Sequence, residues 1–119
     1  MDIEVAGFDW DYGNRGKCRK HGVSIADIEA LFRKPIAVFP DPAHSRKEER
    51  FKAIGTTGRG RYVFLVFTLR KRGSETLIRP ISARYMHRKE VEHYEKETAQ
   101  AFQQQGGRGL RRKRGSHSL

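Results

Sequence analysis

The most apolar run in the chain is Tyr62-Val63-Phe64-Leu65-Val66-Phe67-Thr68-Leu69. Its β-branched and aromatic residues lie between two turn-forming stretches, Gly55-Thr56-Thr57-Gly58-Arg59-Gly60 and Arg70-Lys71-Arg72-Gly73-Ser74. Such a run predicts a central strand buried on both faces. Strands are predicted on either side of it, at residues 51–54 with polar residues interleaved and at residues 76–84. A shorter strand is predicted at Ile36-Ala37-Val38-Phe39, closed by Pro40-Asp41-Pro42. Phe8-Asp9-Trp10-Asp11 alternates apolar and acidic and reads as a half-buried strand, with Trp10 as a core anchor. Pro80 cannot donate to a ladder, so it marks an edge or a bulge. In a regular strand Arg79 and Arg84 point to opposite faces, because their separation is odd. A bulge near Pro80 brings both to one face. The sequence leaves both arrangements open.

Helical spacing appears three times. Residues 14–21 predict a short helix with Asn14 as N-cap and Gly22 at the left-handed C′ position. Ser24 caps the next, residues 24–34, whose Ile25, Ile28, Leu31 and Phe32 form one apolar face. Pro35 stops it. A third helix spans residues 87–102, with Glu92 and Lys96 spaced for an ion pair. The order is β-α-α-β-β-β-β-α, which makes an α+β domain. Its sheet is expected to be antiparallel, of three to four strands, packed with two N-terminal helices and one C-terminal helix. The chain divides into one domain, residues 1–105, and a Gly-, Arg- and Ser-rich tail, residues 106–119, expected to be disordered.

Charge adds a partner class. Net charge is +11 over 119 residues. Residues 1–105 carry 20 Lys and Arg against 14 Asp and Glu, leaving +6, and the tail adds +5. The domain is basic without its tail, and such a field draws in polyanions, nucleic acid first among them. One cysteine, Cys18, excludes an intrachain disulfide. No apolar run approaches the roughly 20 residues that span a bilayer, and the acidic start Met1-Asp2-Ile3-Glu4 is unlike a secretory signal. A cytoplasmic protein with no membrane contact is expected.

Three cation-rich places carry the candidate chemistry. The first is Arg15-Gly16-Lys17-Cys18-Arg19-Lys20-His21-Gly22, the second Glu48-Glu49-Arg50, the third Ser82-Ala83-Arg84-Tyr85. RNA supplies its own nucleophile, the 2′-hydroxyl, so a protein can cut it with a base, an acid and cations around the phosphate. Histidine as a residue type can exchange a proton near neutral pH, so His21 is a candidate proton carrier; the plainer reading is a histidine satisfied at a helix end. Glu49 is an alternative base, or half of an exposed ion pair. Arg50 and Arg84 suit bidentate phosphate binding. Lys20 adds a point charge, Tyr85 a ring for stacking or for the core, and Arg79 and Arg70 either track phosphate or face solvent. The spacing of His87, Glu90 and His93 does not complete a metal site. The cationic neighbours of Cys18 are expected to lower its pKa, but no paired base makes it a nucleophile. No cofactor is implied.

Five motifs then occur in order: Phe8-Asp9-Trp10-Asp11, Lys20-His21-Gly22-Val23-Ser24, Phe39-Pro40-Asp41-Pro42, Glu48-Glu49-Arg50-Phe51 and Ile81-Ser82-Ala83-Arg84. Over about residues 8–95 the chain resembles the BrnT family of bacterial type II toxins, relatives in fold of the RelE ribonuclease toxins. The resemblance implies a RelE-like fold and a metal-independent endoribonuclease that inhibits translation. It implies a BrnA-type antitoxin of ribbon-helix-helix type, encoded beside the toxin, through which alone operator DNA is contacted. On this reading His21, Glu49 and Arg84 are catalytic, and Lys20, Arg50, Arg79 and Tyr85 bind RNA. The alternative is a non-catalytic module that binds RNA or DNA through the same basic surface.

Overall fold

Strand pairing organises the chain around the apolar run at its centre. The computed structural model describes residues 3–44, 47–101 and 110–112. Along these run β1 (Ile3–Val5), β2 (Gly7–Phe8), α1 (Tyr12–Arg19), α2 (Ile25–Leu31) and β3 (Ala37–Pro40). There follow a 3-10 turn (Pro42–His44), β4 (Arg50–Thr56), β5 (Tyr62–Arg72), β6 (Glu75–Tyr85), α3 (Arg88–Ala101) and β7 (Leu110–Arg112). The α+β class holds.

The main sheet has five strands, ordered β2-β6-β5-β4-β3, with β5 in the middle as its composition predicts. It is mixed rather than purely antiparallel: β3 to β6 form the antiparallel set, and β2 adds to β6 in parallel. Two residues of β2 suffice, because Phe8 seats its ring edge-on against Phe32, 5.7 Å between centroids. A separate parallel pair joins β1 to β7. Three tail residues therefore carry strand structure; residues 106–109 and 113–119, also expected to be disordered, lie outside the described residues.

Burial in β5 alternates, which corrects the expectation of a strand buried on both faces. Val63, Leu65 and Phe67 are fully buried, whereas Tyr62, Phe64 and Val66 are only partly covered. The reason is that both N-terminal helices pack on one side. Cys18, Val23, Ile28, Leu31 and Phe32 meet Val38, Phe51, Ala53, Leu65, Phe67, Ile78 and Ala83 in one cluster. Phe67 stacks on Phe51 at 5.4 Å and meets Phe32 edge-on at 5.7 Å. Each such side chain contributes roughly 1.5–3 kcal/mol by burial alone. The other face of β5 is touched by α3, through Tyr62 and Tyr94, whose rings meet at 5.8 Å.

The ladder between β5 and β6 slips by one residue. Val66 pairs with Ser82 and Phe67 with Pro80, so Ile81 is the extra residue of a bulge. The open question of β6 is thereby answered. Arg79 pairs with Thr68 and Arg84 with Phe64, four residues apart on one strand, so both arginines share a face.

The helix ends differ from the sequence reading in two places. Asp11, not Asn14, caps α1. Its side chain accepts from the Asn14 backbone N–H at 2.9 Å, while Asn14 Oδ1 accepts from the Asp11 N–H at 2.7 Å, closing a capping box. Lys20 is the C-cap; Gly22, at φ +89°, comes one residue after C′ and still supplies the left-handed turn. In α2, Ser24 caps as expected and its hydroxyl accepts from the Asp27 N–H at 3.0 Å. In α3, Glu92 pairs back to Arg88 at 3.6 Å rather than forward to Lys96. No helix among the described residues is long and apolar enough to cross a membrane.

Candidate functional site

Beyond Ile78, β6 has no strand on its outer side among the described residues, and α1 takes that place. The junction is one buried side chain. Asn14 donates through Nδ2 to the Pro80 carbonyl at 2.9 Å and to the Asp9 carbonyl at 3.0 Å. Past the end of β2 the Pro80 carbonyl on this outer edge has no strand to pair with, and the amide satisfies it.

This docking leaves a cavity of about 480 Å³, lined by Asp11 to Asn14 and Lys17 from α1, by Glu48, Arg50 and Arg70, and by residues 79–81. A single nucleotide fits a pocket in this size range, roughly 300–1,000 Å³. Four cations, Lys17, Arg50, Arg70 and Arg79, face two carboxylates, Asp11 and Glu48. The strand register sets Arg50, Thr68 and Arg79 side by side across β4, β5 and β6. Thr68 is buried and its hydroxyl donates to the Glu49 carbonyl at 2.6 Å, tying the start of β4 to the central strand.

Both carboxylates are engaged by arginine. Arg70 donates to Glu48 at 2.6 Å. Arg79 donates to Asp11 at 2.7 Å and reaches Asp9 at 3.4 Å, with Arg72 also 3.4 Å from Asp9. The Asn14 N–H and then Arg79 hold the Asp11 carboxyl below the usual range, and Asp11 in turn raises Arg79. Arg79 is thus a fixed cation: its guanidinium is oriented before any ligand arrives. Lys17 is exposed and has no ion pair among the described residues.

The candidates read from the sequence divide by position. Arg50 and Arg79 line the cavity, with Glu49 next to Arg50 in the chain and exposed. Lys20 and His21 are exposed at the opposite end of α1, roughly 12 Å along its axis from Tyr12. Arg84 and Tyr85 lie at the far end of β6 and do not line the cavity. Arg84 makes a bidentate bond to Glu90, both distances 2.8 Å, and its guanidinium lies 4.9 Å from the Phe64 ring centroid. One face of the Tyr85 ring is covered by Arg61 at 3.6 Å. Cys18 is buried, and burial pushes its thiol up to about 11, which overturns the expected lowering by its basic neighbours. The lining residues that escaped the sequence reading as site residues include Asp11, Tyr12, Lys17 and Glu48. Among the described residues no three of His, Cys, Asp and Glu gather closely enough to hold a metal ion.

The Arg84–Glu90 pair ties β6 to α3. Arg84 and the His87 N–H together hold the Glu90 carboxyl down at about 2, from an ordinary 4.5. A carboxyl depressed on folding stabilises above its ordinary pKa, and that contribution is lost as pH falls through about 2. Both side chains are more than a third exposed, so solvent screens the pair. Between pH 4.5 and 2 the parent should lose less than about 1 kcal/mol relative to Glu90→Gln. Urea denaturation of both proteins across that range measures it; parallel pH curves would remove the pair from the stability of α3.

No curated protein matches the chain. The profile of the family described as the ribonuclease toxin, BrnT, of type II toxin-antitoxin systems matches residues 10–90. That stretch runs from Trp10 to Glu90 and takes in α1, the cavity and the whole antiparallel set. Covering about two thirds of the sequence, it places the chain in the BrnT family of ribonuclease toxins, whose substrate is RNA and whose counterpart is an antitoxin protein.

Proposed function

We propose that the protein cuts RNA without a metal ion, at the cavity between α1 and β6. The gathering of Lys17, Arg50, Arg70 and Arg79 around one nucleotide-sized space supports this reading. The RNA 2′-oxygen attacks the adjacent phosphorus, and the bond to the 5′-oxygen breaks, leaving a 2′,3′-cyclic phosphate and a free 5′-hydroxyl. Glu49, beside Arg50, takes the 2′ proton. Lys17 returns a proton to the departing 5′-oxygen. Arg50 and the fixed Arg79 stabilise the charge that gathers on the phosphate oxygens. Lys20 and His21, exposed at the other end of α1, steer the RNA. Arg84 and Tyr85 extend the track along the same strand.

The test is digestion of RNA by purified protein in EDTA, with the products analysed for cyclic phosphate. Cutting that persists in EDTA is expected. Strict dependence on an added divalent ion would overturn the mechanism. RNA retained but left intact would instead identify a non-catalytic binding module.

The antitoxin is proposed to be of BrnA type, a ribbon-helix-helix protein encoded beside the toxin in the cytoplasm, which alone carries the contact to operator DNA. Co-expression with the neighbouring reading frame should relieve growth arrest. Arrest that continues with both proteins present would rule that partner out.

A further inference from the structure

Tyr12 is the most exposed large apolar residue among those described, 96% accessible, and it lines the cationic cavity. A lone exposed aromatic is ordinary on a protein surface. The position of this one is less so.

Its backbone is fixed from both sides. Asp11 and Asn14 close the capping box around it, and the Asn14 amide anchors that turn to Asp9 and Pro80. Tyr12 is the first helical residue, so its ring stands on a rigid base with only its own torsions free. Of the other rings on the sheet, Phe64 is met by Arg84, Tyr85 by Arg61 and Tyr62 by Tyr94 in a T-shaped contact, while Phe39, also exposed, does not line the cavity. No ring or guanidinium stacks on Tyr12 among the described residues. The combination of an uncovered ring, a preset backbone and adjoining cations is the chemistry that holds an unpaired nucleotide: the ring takes the base and the cations take its phosphate.

We infer that Tyr12 is a stacking platform for an unpaired base, so that the cavity selects single-stranded RNA. In a duplex the base faces are already stacked on their neighbours, and a ring at a cavity wall reaches only a base that has splayed out. Stacking accepts any base, so Tyr12 adds affinity and strandedness rather than a sequence preference. This inference rests on the cavity being the RNA site.

The experiment measures binding of the full chain to a fluorescently labelled, 2′-O-methylated octanucleotide that cannot be cut. Tyr12→Ala should weaken binding about 5- to 100-fold. Tyr12→Phe and Tyr12→Trp should bind like the parent, since both keep a π face. The salt dependence should be unchanged in Tyr12→Ala, whereas Arg50→Gln should lose about 0.7 from the slope of log K against log salt. Tyr12 is exposed, so these variants should keep the parent circular dichroism spectrum. If Tyr12→Ala binds normally while Arg50→Gln does not, the cavity stands and the stacking role falls. If both bind normally, the cavity reading falls and takes the stacking role with it. Equal weakening toward a blunt RNA duplex would overturn the selection of single strands. Loss of antitoxin binding with RNA binding intact would assign the ring to the protein partner instead.

Discussion

Arg50→Gln is expected to slow RNA cleavage about 100- to 1,000-fold under single-turnover conditions, with the fold intact. The size follows from removing a fixed charge that faces the phosphate as its own charge grows. Arg50 is well placed for this. It is half-buried in rank with Thr68 and Arg79, on a strand anchored by the Thr68 hydroxyl at the Glu49 carbonyl. The glutamine keeps most of the volume and some hydrogen-bonding capacity, so a large loss must come from charge and the planar fork. Arg50→Lys separates those two: it restores the charge without the fork, and should recover only part of the rate. A parental cleavage rate in Arg50→Gln would mean that phosphate reacts elsewhere. Arg84, released from Glu90, would then be the next arginine to test.

Asn14→Leu is expected to lower the unfolding free energy by about 3 kcal/mol. The leucine has similar bulk but strands three backbone groups: the Pro80 carbonyl, the Asp9 carbonyl and the Asp11 N–H. Leaving a buried group unsatisfied costs about 1–3 kcal/mol, and rearrangement or entering water recovers part of the total. Urea denaturation monitored by Trp10 fluorescence reads this directly, because the Trp10 indole N–H donates to Glu29 across the α1–α2 side of the fold at 2.9 Å. Asn14→Asp sharpens the test. It keeps an acceptor for the Asp11 N–H but turns the donor into an oxygen facing two carbonyls. The new carboxyl is then easier to protonate in the folded state than in the unfolded one. Its destabilisation should be full at neutral pH and shrink as pH falls. A loss below about 1 kcal/mol for Asn14→Leu would show that α1 is held by its apolar contacts alone.

Most of the fold was legible because its signals are local. The run from Tyr62 to Leu69 is unmistakable as a central strand, and Ser24 with the stripe Ile28, Leu31 and Phe32 specifies α2. The errors came where two local signals compete. Asp11 and Asn14 are both good caps three residues apart, and only the tertiary demand of the Pro80 carbonyl makes Asn14 the inward-facing member. Gly7–Phe8 could join the sheet only through pairing some 70 residues away, which no nearby pattern reports.

The candidate site was legible in part for the same reason. Arg50 and Arg79 carry a readable chemistry, and the cavity gathers both. The long basic run of α1 concentrated attention on Lys20 and His21, but helix geometry sends the two ends of α1 to different places. Tyr12 reads only as the residue that breaks the alternating pattern of Phe8 to Asp11 and can start a new element. The available signal was an aromatic at the first position of a capped helix, a place with nothing to pack against. The partner of Arg84 is a carboxylate across a strand-to-helix corner, a spacing that neither strand nor helix periodicity marks.

Ile81 gives the basic strand a count as well as a shape. Because one residue is set aside at the bulge, side chains before it and after it follow opposite parities. At their odd separation, Arg79 and Arg84 share a face only because that surplus residue is set aside. Substitutions within the segment change what a position carries but leave the phase alone. Losing the bulge while keeping all five steps would move one arginine to the side where the helices pack, whereas removing one residue together with the bulge would leave an even separation and keep both on one face. Homologues of this chain are therefore best compared at this point by the number of residues between the two arginines, before asking which residues they are.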